Sequence, residues 1–347
     1  MPPTNFSIAP IEIINLTDKL LILRYKIGVN PLLKPASAFP TGLAGDRVTH
    51  PCRQSSIAMP PPKASPAPNS YRRWLVGAAG LAGVALLAGV GRLIMFRAIE
   101  REAFVPASGG TARPDDFGVA SRQFAFASGD RLLRGSYVAA SPDAPALSVF
   151  HGDEECLADW APVQALLHAA GISSFVFDYS GYGASTGRPS VRHLHQDALA
   201  AYAQFRAVTP QASRHYVMAH SLGSGVLLDV VGDLAPAPDG MVIGAGFRSA
   251  RAAAVVTGRV PRWLAWMLPD PWNNIRQIRN LTMPILLLHS KRDETIPFRD
   301  AECLARAAHG PRRLEAFEDL PHDAAIEPPY MTRFWAPVIA YLKSGKL

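Results

Sequence analysis

After residue 103, short runs of apolar and β-branched residues alternate with segments long enough to form helices. Continuous apolar runs are typical of strands that are buried on both faces, and strands alternating with helices favour a parallel sheet. The predicted strands are residues 122–127, 132–139, 146–150, 173–178, 215–219, 241–245, 285–289 and 314–317, and the predicted helices are 157–169, 192–207, 222–234, 299–308 and 330–343. The first two strands form an antiparallel hairpin about the turn Gly129-Asp130. The fold class is therefore α/β, with an eight-stranded, mostly parallel sheet flanked by helices.

One serine stands where a predicted strand meets a predicted helix. Ser221 lies in the sequence Ala219-His220-Ser221-Leu222-Gly223, directly after the run HYVMA. A nucleophilic serine of the G-x-S-x-G type sits on a sharp strand-to-helix turn, which needs small residues two positions before and after it. Ala219 and Gly223 satisfy this need, so Ser221 is the candidate nucleophile.

A serine hydroxyl needs a base to take its proton and a carboxylate to orient that base. In this architecture the chain order is serine, acid, histidine, each near the end of a strand. Asp293 follows the predicted strand 285–289, and His322 lies in the loop after the last strand, so they are the candidate acid and base. The alternatives are Glu294, Asp319 and Asp323 for the acid and His309 for the base.

Acyl transfer also needs hydrogen-bond donors for the developing oxyanion. The backbone N–H of Leu222, at the start of the helix after the nucleophile, is one candidate. The second is the backbone N–H of Asp153, in the loop after strand 146–150, where Gly152 permits a close approach of the backbone. A separate aromatic-rich segment, residues 260–272, is predicted either to cover the pocket as a small cap or to pack in the core.

An uncharged apolar run precedes the α/β region. Residues 74–91 contain no charge, and as a helix they would extend about 27 Å, close to the thickness of a bilayer core. We predict a transmembrane helix at residues 74–96, with a buried core helix and a cleaved signal peptide as alternatives. Residues 1–73 are then an N-terminal extension without fixed structure that ends in a proline-rich linker, with Met59 as a second candidate start, and residues 103–347 form the catalytic domain.

Charge and cysteine spacing exclude several function classes. The net charge of +7 belongs to residues 1–101, with 12 basic and 4 acidic residues, whereas residues 102–347 have 23 and 24. This distribution argues against nucleic-acid binding by the α/β region. The three cysteines lack CxxC spacing, His193 and His195 do not share a helix face, and the glycines at 181, 183 and 187 depart from a dinucleotide-binding motif. We therefore expect neither a metal nor a cofactor.

Several segments together resemble a known family: SVFHGDEE, FVFDYSGYGASTGRPS, VMAHSLGSG, PDPWNNIRQIRNLTMPILLLHSKRDETIP and LPHDAA. They are similar to the membrane-anchored alpha/beta-hydrolase-domain serine hydrolases, which include bacterial single-pass hydrolases and lysophospholipase, monoacylglycerol-lipase and depalmitoylase relatives. The resemblance implies the alpha/beta-hydrolase fold and cleavage of an ester or thioester without a cofactor. It assigns Ser221, Asp293 and His322 to the triad and Asp153 and Leu222 to the oxyanion hole.

The chain departs from this family at three places. Asp153-Glu154-Glu155 replaces Asn and small residues in the oxyanion loop, Ser290 replaces Gly after His289, and Asp323-Ala324 follows the histidine. We expect the acidic loop to alter the electrostatics near the oxyanion.

The predicted function is hydrolysis of an acyl ester or thioester through an acyl-serine intermediate. The alternatives are an amidase or peptidase with the same triad and a catalytically silent, membrane-tethered binding protein. The paired Arg72 and Arg73 before the apolar helix favour an N-terminus inside the cell, so the catalytic domain would lie outside the cytoplasm at a bacterial inner membrane.

Overall fold

A computed structural model describes residues 68–347 of the chain. The predicted extension before residue 68, including Met59, lies outside the described residues. The division of the chain into three predicted domains stays a prediction.

The described residues contain one eight-stranded sheet in the order β1-β2-β4-β3-β5-β6-β7-β8. The strands are β1 Arg122–Ser128, β2 Arg131–Val138, β3 Ala146–Phe150, β4 Ser173–Asp178, β5 His215–His220, β6 Gly240–Gly244, β7 Ile285–Ser290 and β8 Arg312–Phe317. Strands β1 and β2 pair antiparallel, as do β2 and β4, and the remaining neighbours are parallel. This arrangement confirms the predicted fold class.

Helices cover both faces of the sheet. They are α1 Pro68–Ala103, α2 Leu157–Ala169, α3 Val191–Val208, α4 Leu222–Val230, α5 Ala250–Val256, α6 Asn274–Ile278, α7 Phe298–Ala307 and α8 Pro328–Ser344. Side chains of α2 and α8 pack in the core on one face, whereas those of α3, α4, α6 and α7 pack in the core on the other.

Strand β7 shows why polar and apolar residues do not alternate along the central strands. Ile285 and Leu287 contribute to one core, while Leu286 and Leu288 contribute to the other, and all four are buried. Because successive side chains of a strand point to opposite faces, a strand between two layers of helices needs apolar residues at every position.

Helix α1 is longer than the predicted span. It has 36 residues, and its window Arg72–Ala98 is long and apolar enough to cross a membrane, with a mean hydropathy of 1.9 and none of the window buried inside the protein. The alternative of a buried core helix therefore does not hold. The 27 residues of this window extend about 40 Å at 1.5 Å per residue.

Candidate active site

Ser221 occupies a strained turn between β5 and α4. Its backbone has φ 46° and ψ −113°, a conformation that is rare for residues other than glycine, and its N–H donates to the carbonyl of Gly244 at 3.0 Å. Gly223, two residues later, has no room for a side chain, because a Cβ there would overlap the carbonyl oxygen of Phe150. The turn therefore brings the start of α4 against the end of β3, as the small residues of the motif predict.

The structure brings the three predicted catalytic side chains together at the carboxyl end of the parallel strands. The Nε2 atom of His322 lies 2.9 Å from the Oγ atom of Ser221. Its Nδ1 atom lies 2.9 and 2.8 Å from the two carboxylate oxygens of Asp293. These are hydrogen-bond distances, and the order hydroxyl, imidazole, carboxylate is the one that nucleophilic catalysis by serine requires.

The carboxylate of Asp293 is buried and is surrounded by hydrogen-bond donors. The backbone N–H groups of Thr295 and Ile296 donate to it at 2.9 and 2.8 Å, and the Nε2 atom of His289 lies 3.3 Å away. Burial by itself raises the pKa of Asp293, but hydrogen bonds from His289 and His322 outweigh it and hold the pKa well below its usual range. Asp293 is therefore an anion in position to orient His322.

The alternative acids and base lie elsewhere. Glu294 is exposed and its carboxylate accepts only a long 3.4 Å bond from the backbone N–H of His322, while Asp319 forms an exposed ion pair with Arg333 at 2.6 Å. The Asp323 and His309 side chains are also exposed. None of these four replaces Asp293 or His322 in the observed arrangement.

The two predicted oxyanion donors face the same space as the nucleophile. Leu222, Asp153 and Ser221 all line one cavity. Leu222 is the first residue of α4, where the helix supplies no acceptor for its backbone N–H. The backbone N–H of Asp153 forms no backbone hydrogen bond among the loops and turns of the described residues. Both amides therefore keep a donor available for an oxyanion.

A buried ion pair beneath the nucleophile was missed by the sequence analysis. The Nδ1 atom of His220 lies 2.6 Å from the Oε1 atom of Glu155, and both side chains are almost completely buried. The other oxygen of Glu155 accepts from the N–H of Gly152 at 2.7 Å and from the indole N–H of Trp160 at 2.8 Å. On its far side, the Nε2 atom of His220 lies 3.2 Å from the carbonyl oxygen of His322. One carboxylate thus connects the oxyanion loop, the residue before the nucleophile and the backbone of the base.

The second loop carboxylate is also neutralised. Asp153 accepts from the N–H of Val105 at 2.9 Å and from the hydroxyl of Tyr182 at 2.5 Å, and Arg259 lies 3.3 Å from its other oxygen. Asp153 and Glu155 therefore each have a cationic partner, and the third loop carboxylate, Glu154, is exposed to solvent.

The cavity above Ser221 has a volume of about 390 Å³ and is lined mainly by apolar side chains. Its walls include Phe104 and Phe247, Leu268 and Trp272 from the aromatic-rich segment 260–272, and Phe96 from the end of α1. A volume of this size is typical of small-molecule sites, and the apolar lining suits a hydrocarbon group.

The segment predicted as a cap lines this cavity. Leu268 and Trp272 of the predicted segment contribute to its wall, and Trp272 also packs in the core, as the alternative had it. Arg259, just before the segment, lines the cavity too, and the short helix α5, which the sequence analysis missed, precedes all three. We call residues 250–272 the cap.

The buried pair predicts a pH dependence of stability. Burial by itself lowers the pKa of His220, but the charge of Glu155 outweighs it and raises the pKa to about 9. A group whose pKa is raised on folding stabilises the native state fully below its unfolded pKa of about 6.5 and loses this effect as the pH rises through 9. We therefore expect the Tm of the detergent-solubilised chain to fall as the pH rises from 6.5 to 8.5. The measurement stops at pH 8.5 because burial raises the pKa of the Cys156 thiol to about 11, so that this thiol affects stability only at higher pH. Calorimetry should show a flatter profile for Glu155→Gln, and equal slopes would contradict the assignment.

The order of the strands, with the serine turn between β5 and α4, is that of the alpha/beta-hydrolase fold. Within it, residues 141–280 match the family described as serine aminopeptidase, S33. The matched segment contains Ser221, Leu222 and Asp153 but ends before Asp293 and His322.

Curated relatives match over part of their length. An uncharacterized protein of Mycobacterium tuberculosis is 30% identical over 181 residues, which are 52% of this chain and 63% of that protein. The lysophosphatidylserine lipase ABHD12 of Macaca fascicularis is 28% identical over 44% of this chain and 42% of the lipase. The matched segments therefore cover about two fifths to three fifths of the length of these relatives.

Solved structures with low sequence identity show the same fold. An esterase of Pyrococcus furiosus superposes with a TM-score of 0.57 at 17% identity, over 70% of this chain and 96% of the esterase. An acylaminoacyl peptidase of Pyrococcus horikoshii superposes with a TM-score of 0.54 at 15% identity, over 65% of this chain and 41% of the peptidase. These two likenesses concern the fold and do not distinguish ester from amide substrates.

Proposed function

We propose that the chain is a membrane-anchored serine esterase that cleaves a carboxylic ester or thioester of a hydrophobic acyl group. The observation that carries the proposal is the hydrogen-bonded series Ser221, His322 and Asp293 at the wall of an apolar cavity, beside two available amide donors. The sequence similarity to a lysophosphatidylserine lipase supports the ester assignment.

The geometry supports acyl transfer in two steps. His322 Nε2 takes the proton of Ser221 as Oγ attacks the substrate carbonyl, and Asp293 stabilises the resulting imidazolium. The N–H groups of Leu222 and Asp153 bind the oxyanion, and His322 returns the proton to the leaving alkoxide or thiolate as the acyl-serine forms. A water molecule, deprotonated by His322, then hydrolyses this intermediate and releases the acid. No step needs a cofactor.

Helix α1 is proposed as an uncleaved membrane anchor. Its exposed apolar window is long enough to span a bilayer. The paired arginines at its N-terminal end favour the catalytic domain outside the cytoplasm, at a bacterial inner membrane.

Labelling with a fluorophosphonate probe tests the nucleophile. The full chain in detergent should incorporate one probe molecule at Ser221, because an activated serine attacks the phosphorus, and Ser221→Ala should abolish labelling. Mass spectrometry of the labelled peptide locates the site. Labelling that survives Ser221→Ala would exclude the mechanism, and absence of labelling together with absence of turnover would favour a silent binding protein.

A substrate panel separates the ester proposal from the amidase alternative, which the name of the matched family favours. Matched p-nitrophenyl esters and p-nitroanilides of increasing acyl length should show a higher kcat/KM for the esters, with a preference for longer chains that fill the apolar cavity. Comparable or higher kcat/KM on the anilides would assign the site to amide cleavage.

A further inference from the structure

Two tryptophans of the cap project into solvent. The Trp263 and Trp266 side chains are 67% and 74% exposed, and Val256 in the same region is 46% exposed. Large apolar groups clustered on a surface mark an interaction site, and tryptophan in particular prefers the boundary between a bilayer and water. The cap therefore presents a surface whose chemistry fits a lipid interface.

This surface adjoins the end of the proposed membrane anchor. Phe96 and Ala98 of α1 line the same cavity as Ala253 and Thr257 of the cap. The end of α1 is also held by hydrogen bonds: the Arg259 guanidinium donates to the carbonyl of Ala103, and the backbone N–H of Val191 donates to Glu100 at 2.9 Å. The cap and the last turns of α1 thus form neighbouring walls of one site.

The length of the anchor sets the level of the cavity relative to a bilayer. Residues 74–96 extend about 35 Å as a helix, slightly more than a hydrocarbon core of about 30 Å. Phe96 and Ala98 would therefore lie near the boundary between hydrocarbon and headgroups. Arg97, Arg101 and Arg262 are exposed and carry the positive charge that suits lipid phosphates at this level.

We propose that the cap docks onto the bilayer that α1 spans, with Trp263 and Trp266 in its interfacial layer. In this position the apolar cavity opens towards the lipid. The acyl chain of an amphiphile resident in that leaflet then reaches Ser221 without passing through bulk water. The proposal rests on the proposed anchor and esterase function, and it identifies the bilayer as the source of the substrate.

Fluorescence quenching tests the docking independently of activity. The full chain and a Trp263→Phe/Trp266→Phe variant are reconstituted into vesicles of phosphatidylcholine and phosphatidylglycerol, with or without phospholipid brominated near the glycerol end of its chains. The emission difference between the two proteins belongs to Trp263 and Trp266, because the other four tryptophans are common to both. We expect this difference to be blue-shifted and at least halved by the brominated lipid. A difference emission with the wavelength typical of tryptophan in water, and without quenching by the brominated lipid, would overturn the proposal.

Activity supplies the second readout. Trp263→Ser/Trp266→Ser should lower hydrolysis of a long-chain monoacyl ester in the same vesicles by about tenfold, because serine side chains do not hold the cap in the interfacial layer. Turnover of soluble p-nitrophenyl acetate should not change, because neither tryptophan lines the cavity. Tyr330→Ser, which removes an exposed aromatic from α8, is the matched control and should change neither rate.

The two readouts separate the two proposals. If p-nitrophenyl acetate is not hydrolysed even by the unmodified chain, the esterase proposal fails, while quenching still decides the docking. If the soluble ester is hydrolysed but the vesicle rates of the Trp263→Ser/Trp266→Ser variant and the unmodified chain agree, the docking proposal fails and the esterase proposal stands.

Discussion

Replacement of His322 by alanine is expected to lower kcat on the preferred ester by on the order of 10⁶, about as much as Ser221→Ala. Each change removes one end of the 2.9 Å bond between imidazole and hydroxyl, and without either group the proton cannot leave Oγ as it attacks. The double variant should be no slower than the single ones. The two side chains act as one unit, so the second replacement has nothing left to remove.

Initial rates on one p-nitrophenyl ester, with the three variants in the same detergent, provide the measurement. His309→Ala is the matched control because its imidazole is exposed and distant from the triad along the chain, and it should retain full activity. We expect the variants to keep a small rate above that of uncatalysed hydrolysis of the same ester, because the oxyanion donors and substrate binding remain. If the fold-loss of rate in the double variant equals the product of the two single fold-losses, Ser221 and His322 do not act as one unit.

The three candidate residues that the structure brings together could be chosen from the sequence because each follows a recognisable strand. Ser221 follows β5, Asp293 follows β7 and His322 follows β8, and parallel strands bring their carboxyl ends to one edge of the sheet. The geometry needed no information beyond chain order and the positions of the apolar runs.

Shorter elements gave weaker signals. The seven residues of α5 are too few for a clear helical period, and the helix predicted to reach residue 234 ends at Val230, followed by a 3₁₀ turn at Val231–Asp233. The sequence therefore indicated an aromatic insertion over the pocket, but not the helix that begins the cap or the exposure of Trp263 and Trp266.

The ion pairs of the oxyanion loop could not be predicted because their partners are far apart in the chain. Glu155 and His220 are 65 residues apart, and Asp153 and Arg259 are 106 residues apart. His220 occupies the position before Ser221, where the G-x-S-x-G motif accepts any residue. The motif therefore did not indicate a function for His220. Two of the three carboxylates that were expected to alter the oxyanion electrostatics, Asp153 and Glu155, are each paired with a cation.

Replacement of Glu155 by glutamine is expected to destabilise the catalytic domain by about 3–5 kcal/mol, the range for breaking a buried pair. For a domain of this size the loss corresponds to a Tm lower by roughly 10 °C. The carboxylate accepts three hydrogen bonds, from His220, Gly152 and Trp160, and donates none. An amide presents one acceptor and one donor group, so at least one of these donors meets an N–H group, and His220 loses the anion that balances its charge.

The neighbouring Glu154→Gln is the matched control, because Glu154 is exposed and its side chain makes none of these bonds. It should shift the Tm by no more than about 2 °C, as surface substitutions commonly do. Thermal unfolding of both variants and the unmodified chain, followed by calorimetry in the same detergent, distinguishes the pair from a general effect of loop charge. Equal Tm values for the two variants would mean that Glu155 and His220 contribute no more than a surface contact. A loss of Tm confined to Glu155→Gln would instead assign the stabilisation to the buried pair of Glu155 and His220.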